Sequence, residues 1–301
     1  MRFINPKTDF AFKKIFGSAQ SHDILVSFLN GLLYQGNPVI AALDILNPYQ
    51  APQIEGMKNS YLDVKARLAS GDIVIIEMQV LNMAGFEKRI LYNAAKAYST
   101  QLHIGEQYPQ LNPVIGLTIT DFEMFPELEG ITSRFVLKEK HHPIDYPAGD
   151  IELVFVELPK FQQPLEALTS LTDKWLYFLQ HAPDLDVVPM TMGNVAEIQQ
   201  AFEMANAANL SIEELDELDR QLIFLQDQRG AITKATEQGL EQGLEQGLEQ
   251  GLEQGRTEGR REEKIDIARR LLPLMTDGDI IEVTGLSLSD IQTIRQGESR
   301  R

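Results

Sequence analysis

Two acids and an amide, Asp63, Glu77 and Gln79, fall where a single hairpin would bring them together. Glu77 and Gln79 interrupt residues 73–80, a run that is otherwise apolar. In a strand, residues two apart point to one face, so both polar groups enter the face shared by Ile73 and Ile75. Burying a bare carboxylate is costly, so one placed there needs a partner or an ion. Whether Asp63 joins them depends on the hairpin register. A three-residue turn, Ala69-Ser70-Gly71, makes paired residue numbers sum to 140. Asp63 then lies opposite Glu77, and Tyr61 opposite Gln79. Gly71 suits the left-handed position of such a loop. A two-residue turn, Ser70-Gly71, would send Asp63 to the other face. The longer turn is preferred because it leaves Leu62, Val64, Ala66 and Leu68 on the apolar face of the partner strand.

Two adjacent carboxyls oppose each other's ionisation unless a cation lies between them. Carboxylate oxygens, water and phosphate are the ligands that Mg²⁺ (or Mn²⁺) prefers. Such an ion would bind a phosphate oxygen and lower the pKa of an attacking water. Asp63 and Glu77 are therefore the candidate metal ligands, with the Met78 backbone carbonyl as a third. Gln79 is the candidate to position water or phosphate. Read from spacing alone, the same trio fits a hydrogen-bonded structural cluster with Lys65 equally well.

The hydrophobic periodicity predicts the helices and strands around these residues. A short helix over 9–16 buries Phe10, Phe12, Ile15 and Phe16. A second, over 21–34, starts at a Ser21 cap and has Ile24, Leu25, Phe28, Leu29 and Leu32 at helical spacing, with Gly31 as a mild weakness. Strands follow over 39–46 and 61–68, separated by a loop at 51–59, and a central strand over 73–80. A helix over 85–104 carries Ile90, Leu91, Ala94, Ala97 and Tyr98 on its inner stripe, and a strand over 111–120 comes next. Strand, helix and strand in that order predict a crossover connection and a mixed sheet. Further strands are expected over 132–137 and 151–156. After Pro159 the pattern is helical: 164–181, 193–207 and 211–229. These helices either pack on the sheet or form a lid.

Glu-Gln-Gly-Leu then repeats four times from Glu237 to Leu252. On a helix a four-residue step advances about 400°, so the leucines and glycines trace parallel, slowly winding stripes. Each glycine costs a helix about 1 kcal/mol relative to alanine. The segment is thus either a flexible spacer or a helix paired along its glycines. The chain ends in a helix over 262–272, a turn at 277–278, and two short helices, the last capped by Ser287 with Asp290. The expected organisation is 1–160 for the α/β domain, 161–230 for a helical extension, 231–260 for the repeat and 261–301 for a helical hairpin.

Composition narrows the function. The chain has 301 residues, no cysteine and a formal net charge of −17. Disulfide frameworks, cysteine nucleophiles and Cys-bound zinc are excluded. No apolar run approaches the ~20 residues of a membrane span, and the first residues hold no signal-peptide core, so a cytoplasmic protein is expected. Residues 1–150 hold 13 Lys+Arg against 16 Asp+Glu, whereas 151–301 hold 14 against 28. The first half stays near neutral, which keeps a nucleic-acid substrate open. The histidines, His141-His142 among them, lack metal-ligand spacing, and there is no phosphate loop, dinucleotide fingerprint or G-x-S-x-G.

The order Asp-x(13)-Glu-x-Gln on a hairpin between helices resembles the PD-(D/E)XK nuclease superfamily. The blocks Thr8-Asp9-Phe10-Ala11-Phe12-Lys13-Lys14-Ile15-Phe16-Gly17, Leu62-Asp63-Val64-Lys65-Ala66, Ile76-Glu77-Met78-Gln79 and Arg89-Ile90-Leu91-Tyr92 resemble the Rpn family of recombination-promoting nucleases and transposases. The resemblance covers residues 3–130 and, loosely, the tail. It implies a restriction-endonuclease-like mixed β-sheet flanked by helices, followed by a helical C-terminal region. It also implies a metal-dependent DNA endonuclease in which Asp63 and Glu77 hold the metal. Gln79 stands where the superfamily usually has lysine, and carries no charge. Lys65 is a candidate for the missing cation, and Asp9 for an accessory acid on the first helix. Lys88 and Arg89 are candidates for phosphate contact, or simply a solvated helix face. The alternative function is a catalytically weak nuclease fold that binds DNA or protein and self-assembles, as a homodimer or more, through 237–256.

Overall fold

The computed structural model describes residues 3–50 and 60–298. The expected loop at 51–59 lies outside them. The helices are α1 (Asp9–Phe16), α2 (His22–Tyr34), α3 (Phe86–Ser99), α4 (Leu171–His181), α5 (Ala196–Met204), α6 (Ile212–Leu271), α7 (Asp277–Thr284) and α8 (Leu288–Glu298). The strands are β1 (Leu43–Leu46), β2 (Tyr49–Gln50), β3 (Ser60–Tyr61), β4 (Val64–Leu68), β5 (Ile73–Gln79), β6 (Val114–Thr120), β7 (Thr132–Val136) and β8 (Ile151–Glu157). Among the described residues, no helix is long and apolar enough to cross a membrane.

Six strands form one mixed sheet in the order β1-β4-β5-β6-β8-β7, and β2 pairs with β3 separately. β5, β6 and β8 run parallel, and the outer pairs are antiparallel. α3 supplies the expected crossover between β5 and β6. The turn is the three-residue one: Val64 pairs with Ile76 and Arg67 with Ile73, sums of 140, and Gly71 takes φ +99°.

Period-two alternation divides β5 cleanly. Val74, Ile76 and Met78 join the large core under α1, α2, α4 and α5, while Ile73 and Ile75 pack with Ala94 and Ala97 of α3. Glu77 and Gln79 extend that second row toward α3. The helices after residue 160 pack on the sheet side: Trp175 and Phe178 of α4 and Phe202 of α5 share a core with Phe16 and Phe28.

Several boundaries differ from the sequence expectation for local reasons. The first strand starts at Leu43 rather than 39, because the Asn30 side chain binds both the N–H (2.8 Å) and the carbonyl (2.9 Å) of Ile40 and holds it to α2. The strand expected over 61–68 breaks at Leu62–Asp63. Tyr61 pairs with Tyr49, not with Gln79, and Leu62 donates to the Pro48 carbonyl. The alternation resets there, so Leu62 sits on the α3 side while Val64, Ala66 and Leu68 face the other core. α3 ends at Ser99, and β6 starts at Val114 because the Gln101 amide binds the backbone of Asn112 at both N and O. On α3, Leu91 is exposed, and buried Asn93 lies on the inner stripe instead. Ser21 occupies the cap position of α2 without capping it; its hydroxyl meets Ser18. The capping box Ser170–Asp173 delays α4 to Leu171. The turn expected at 277–278 is the first turn of α7, capped by Thr276 and Asp279. Ser287 and Asp290 cap α8 as expected.

The chain divides into two compact units, residues 1–227 and 228–301. The repeat is helical, within the 60 residues of α6. In the second unit Ala268, Leu272, Ile280, Leu286 and Ile291 form a small core. Leu240, Leu244, Leu248 and Leu252 are exposed.

Gly31 is no weakness. A Cβ there would stand 2.9 Å from Cδ1 of Trp175, which is fully buried and has no room to give. Gly31→Ala gains helix propensity but overpacks the α2–α4 contact. We expect a net loss of about 1–3 kcal/mol in urea unfolding; a gain in stability would show that this contact is loose.

Candidate active site

The site forms where β5 leaves the sheet, because that is where the cover on its α3 side ends. Asp63, Glu77, Met78 and Gln79 line one cleft of about 1200 Å³, with Asp9 and Lys13 of α1 on one wall and Lys88, Arg89 and Asn93 of α3 on another. Gln221, Phe224 and Leu225 of α6 complete it.

Asp63 comes just before β4, at the point where the hairpin ladder stops. Its Oδ2 accepts the Met78 N–H at 2.7 Å. By register that N–H faces position 62, so the carboxylate takes over the ladder from a backbone that has turned away. Its Oδ1 lies 3.8 Å from Lys13 Nζ. Glu77 is buried, and its Oε1 accepts from Asn93 Nδ2 at 3.0 Å. Asn93 is fixed in turn by Ser60, whose hydroxyl donates to its Oδ1. Each carboxyl is thus tied by one oxygen, and neither tie satisfies a full charge.

The electrostatics follow. Burial, then the charge of Glu77, push the Asp63 carboxyl up to about 8, against the opposing pull of the Met78 amide and Lys13. Burial also raises Glu77, opposed by Arg89, the Asn93 hydrogen bond and Lys13. Two carboxyls that resist ionising together, open to a cleft, are the donor chemistry a hard divalent cation fits, because its charge offsets both. Among the described residues no cluster of three or more Asp, Glu, His or Cys offers an alternative metal site. The groups that could hold an ion here are Asp63, Glu77 and backbone oxygen such as that of Met78, with water completing the set.

The other candidates separate. Gln79 makes one bond at each polar atom: Nε2 donates to the Leu81 carbonyl at 2.7 Å, and Oε1 accepts from Arg89 Nη2 at 2.5 Å. It holds Arg89, which also lies over the Phe86 ring at 5.2 Å. Lys88 and Arg89 both line the cleft. Lys65 does not; it pairs with Ile75 inside the sheet. Asp9 reaches the cleft bound to Lys13 at 2.6 Å. Sequence reasoning missed Asn93 and Lys13. Asn93 had a signal, since it falls one helical turn after Arg89, on the stripe that also carries Ile90 and Ala97.

Comparison with known proteins matches a family model described as PD-(D/E)XK nuclease family transposase over residues 6–235. No curated protein and no solved structure matches the chain.

The carboxyl pair makes stability depend on pH in a defined direction. The folded Asp63 value of about 8 lies above its unfolded value of about 4. Between the two, the folded protein keeps a proton that the unfolded chain has lost. Without divalent cations, stability must fall as pH rises through this window, by up to roughly 1.4 kcal/mol per pH unit. Asp63→Asn keeps an acceptor for Met78 without the charge, so its melting temperature should exceed wild type at pH 8 and converge with it near pH 4. Equal melting temperatures at pH 8 would show that the fold does not hold an extra proton on Asp63.

Proposed function

The chain belongs to the PD-(D/E)XK nuclease family transposases, and from that premise we propose that it is a divalent-cation-dependent DNA endonuclease of the Glu-x-Gln type, acting in recombination or mobile-element biology. The observation that carries this reading is the carboxyl pair Asp63–Glu77, placed side by side in a cleft without a countercharge equal to both. Asp63, Glu77 and the Met78 carbonyl would hold Mg²⁺ or Mn²⁺. A bound cation of this kind supplies charge neutralisation at a phosphate oxygen and a lowered pKa for water.

The chain's own residues do the rest. The Met78 amide and Asn93 fix the two carboxyls through one oxygen each, leaving the other oxygen of each outside those bonds. Gln79 fixes Arg89, and Arg89 with Lys88 offers positive charge at the cleft lip for flanking phosphates. In hydrolysis a water oxygen bonds to phosphorus and the bond to the leaving oxygen breaks. The attacking water gives up a proton and the leaving oxygen gains one.

A self-associating second unit is the companion proposal. In α6 the exposed leucines at 240, 244, 248 and 252 run beside glycines with open space around them. Two such helices can approach closely along the glycines and bury the leucines, as a homodimer or larger assembly.

Two experiments test these readings. Plasmid cleavage with Mg²⁺ or Mn²⁺ should be lost on chelation and drop by about a hundredfold or more in Asp63→Ala and Glu77→Ala. Undiminished cutting by Asp63→Ala would remove the assignment, and a folded but inert wild type would favour the binding module. For assembly, Leu244→Glu with Leu248→Glu should lower the mass measured by light scattering to that of a monomer. An unchanged mass would show that the repeat does not assemble the chain.

A further inference from the structure

We propose that Lys13 supplies the positive charge that faces the scissile phosphate, with Asp9 as the positioning residue that holds it there. The inference rests on the nuclease reading and adds a catalytic residue to it.

Hydrolysis concentrates negative charge on the non-bridging oxygens as the water oxygen bonds to phosphorus and the leaving oxygen departs. A cation placed at that point lowers the barrier, provided it is fixed beforehand beside the carboxyl pair. Four cationic side chains line the cleft: Lys7, Lys13, Lys88 and Arg89. Lys7 is bound to Asp121 at 2.8 Å, is largely buried, and forms no ion pair with Asp63 or Glu77. Arg89 is held by Gln79 and Phe86. Lys88 is exposed on the first turn of α3 and forms no ion pair with Asp63 or Glu77. Among the described residues, Lys13 alone brings a charged nitrogen within 4 Å of either carboxyl: Nζ lies 3.8 Å from Asp63 Oδ1 and 2.6 Å from Asp9 Oδ1.

The mounting of Lys13 supports the role. Asp9 and Lys13 are one helical turn apart, on the cleft face of α1. The opposite face, Ala11, Phe12, Ile15 and Phe16, is buried in the main core. Thr8 caps the helix, and Gln221 accepts the Phe10 N–H at 2.9 Å, so α1 is pinned at both its core and its cleft side. The Lys13 side chain remains 40% exposed, within reach of a substrate. An ammonium has three donors and serves as a point charge, so no proton transfer through Lys13 is required. The attacking water's proton leaves to solvent and the leaving oxygen takes one from solvent.

Gln79 sits beside Glu77 on the same strand face, without charge. If Lys13 does what a charged residue at 79 would do, a lysine placed at 79 should compensate for its loss. The experiment is single-turnover plasmid cleavage at saturating Mg²⁺ and DNA, with Asp63→Ala as the control for the nuclease reading. Thermal melts and Mn²⁺ titration calorimetry verify folding and metal uptake. Lys13→Gln should cut about a hundredfold more slowly or worse, with DNA affinity and Mn²⁺ uptake within about threefold of wild type. Lys13→Arg should retain more activity than Lys13→Gln. Lys13→Gln with Gln79→Lys should recover at least about tenfold over Lys13→Gln alone. Asp9→Asn should slow cleavage by less than Lys13→Gln does. A wild-type rate in Lys13→Gln, a defect confined to DNA affinity, or no recovery in the double variant would each overturn the inference while leaving the nuclease reading in place. A wild type that cuts with no metal would overturn both.

Discussion

Two carboxyl groups in one half-buried corner are the constraint around which the first unit is organised. The corner exists because β5 is covered on both faces along most of its length and uncovered at its end. Glu77 emerges where the α3 side of the sheet gives way to the cleft, and Asp63 enters where β4 has not yet joined the ladder. Burial, and then the charge of Glu77, push the Asp63 carboxyl up to about 8. Each neighbouring polar group reads as a partial answer to that cost: the Met78 amide, Asn93 with Ser60 behind it, Arg89 across from Glu77, and Lys13 across from Asp63. Partial answers suit a site that exchanges a proton for a cation; complete ones would have made a permanent ion pair.

The fold delivers these groups from three independent directions. The hairpin brings Asp63 and Glu77 together through register alone. α3 crosses from β5 to β6, and its inner stripe carries Asn93 to Glu77 and Arg89 to Gln79. α1 is set by its aromatic face against Phe28 and Trp175, which turns Asp9 and Lys13 toward the same corner. The tight α2–α4 contact at Gly31 matters here indirectly, since the cluster of Phe16, Phe28 and Trp175 fixes the height of α1 over the sheet. Packing far from the chemistry thus sets distances within it.

The hairpin was legible because its determinants are local: a turn of three small residues and a partner strand with one apolar side. The mixed sheet was legible from the strand–helix–strand order. Leu62 was misplaced because alternation persists only while a ladder does, and the pairing of Tyr61 with Tyr49 is a tertiary fact. Lys13 was invisible for a related reason. In sequence, Asp9 and Lys13 look like an ordinary solvated pair one turn apart, and only the docking of α1 gives them a cleft to face. The α6 repeat shows the opposite failure: glycine propensity argued against a helix, yet four-residue periodicity without a proline or turn signal let the helix run through it.

The acidic charge has a consequence for how a DNA enzyme of this kind would meet its substrate. Residues 151–227 hold three basic and fourteen acidic side chains, whereas residues 1–150 are near neutral. Most of those acids follow the sheet, and Glu213, Glu214, Asp216, Glu217, Asp219 and Asp227 lie at the start of α6, whose Gln221, Phe224 and Leu225 form one wall of the cleft. A polyanion is repelled by that side within about a Debye length, on the order of 10 Å. The lip carrying Lys88 and Arg89 then remains as the route of approach. The arrangement weakens non-specific adhesion, which rests on phosphate contacts, and leaves the charge that matters concentrated at the carboxyl corner and its two flanking helices.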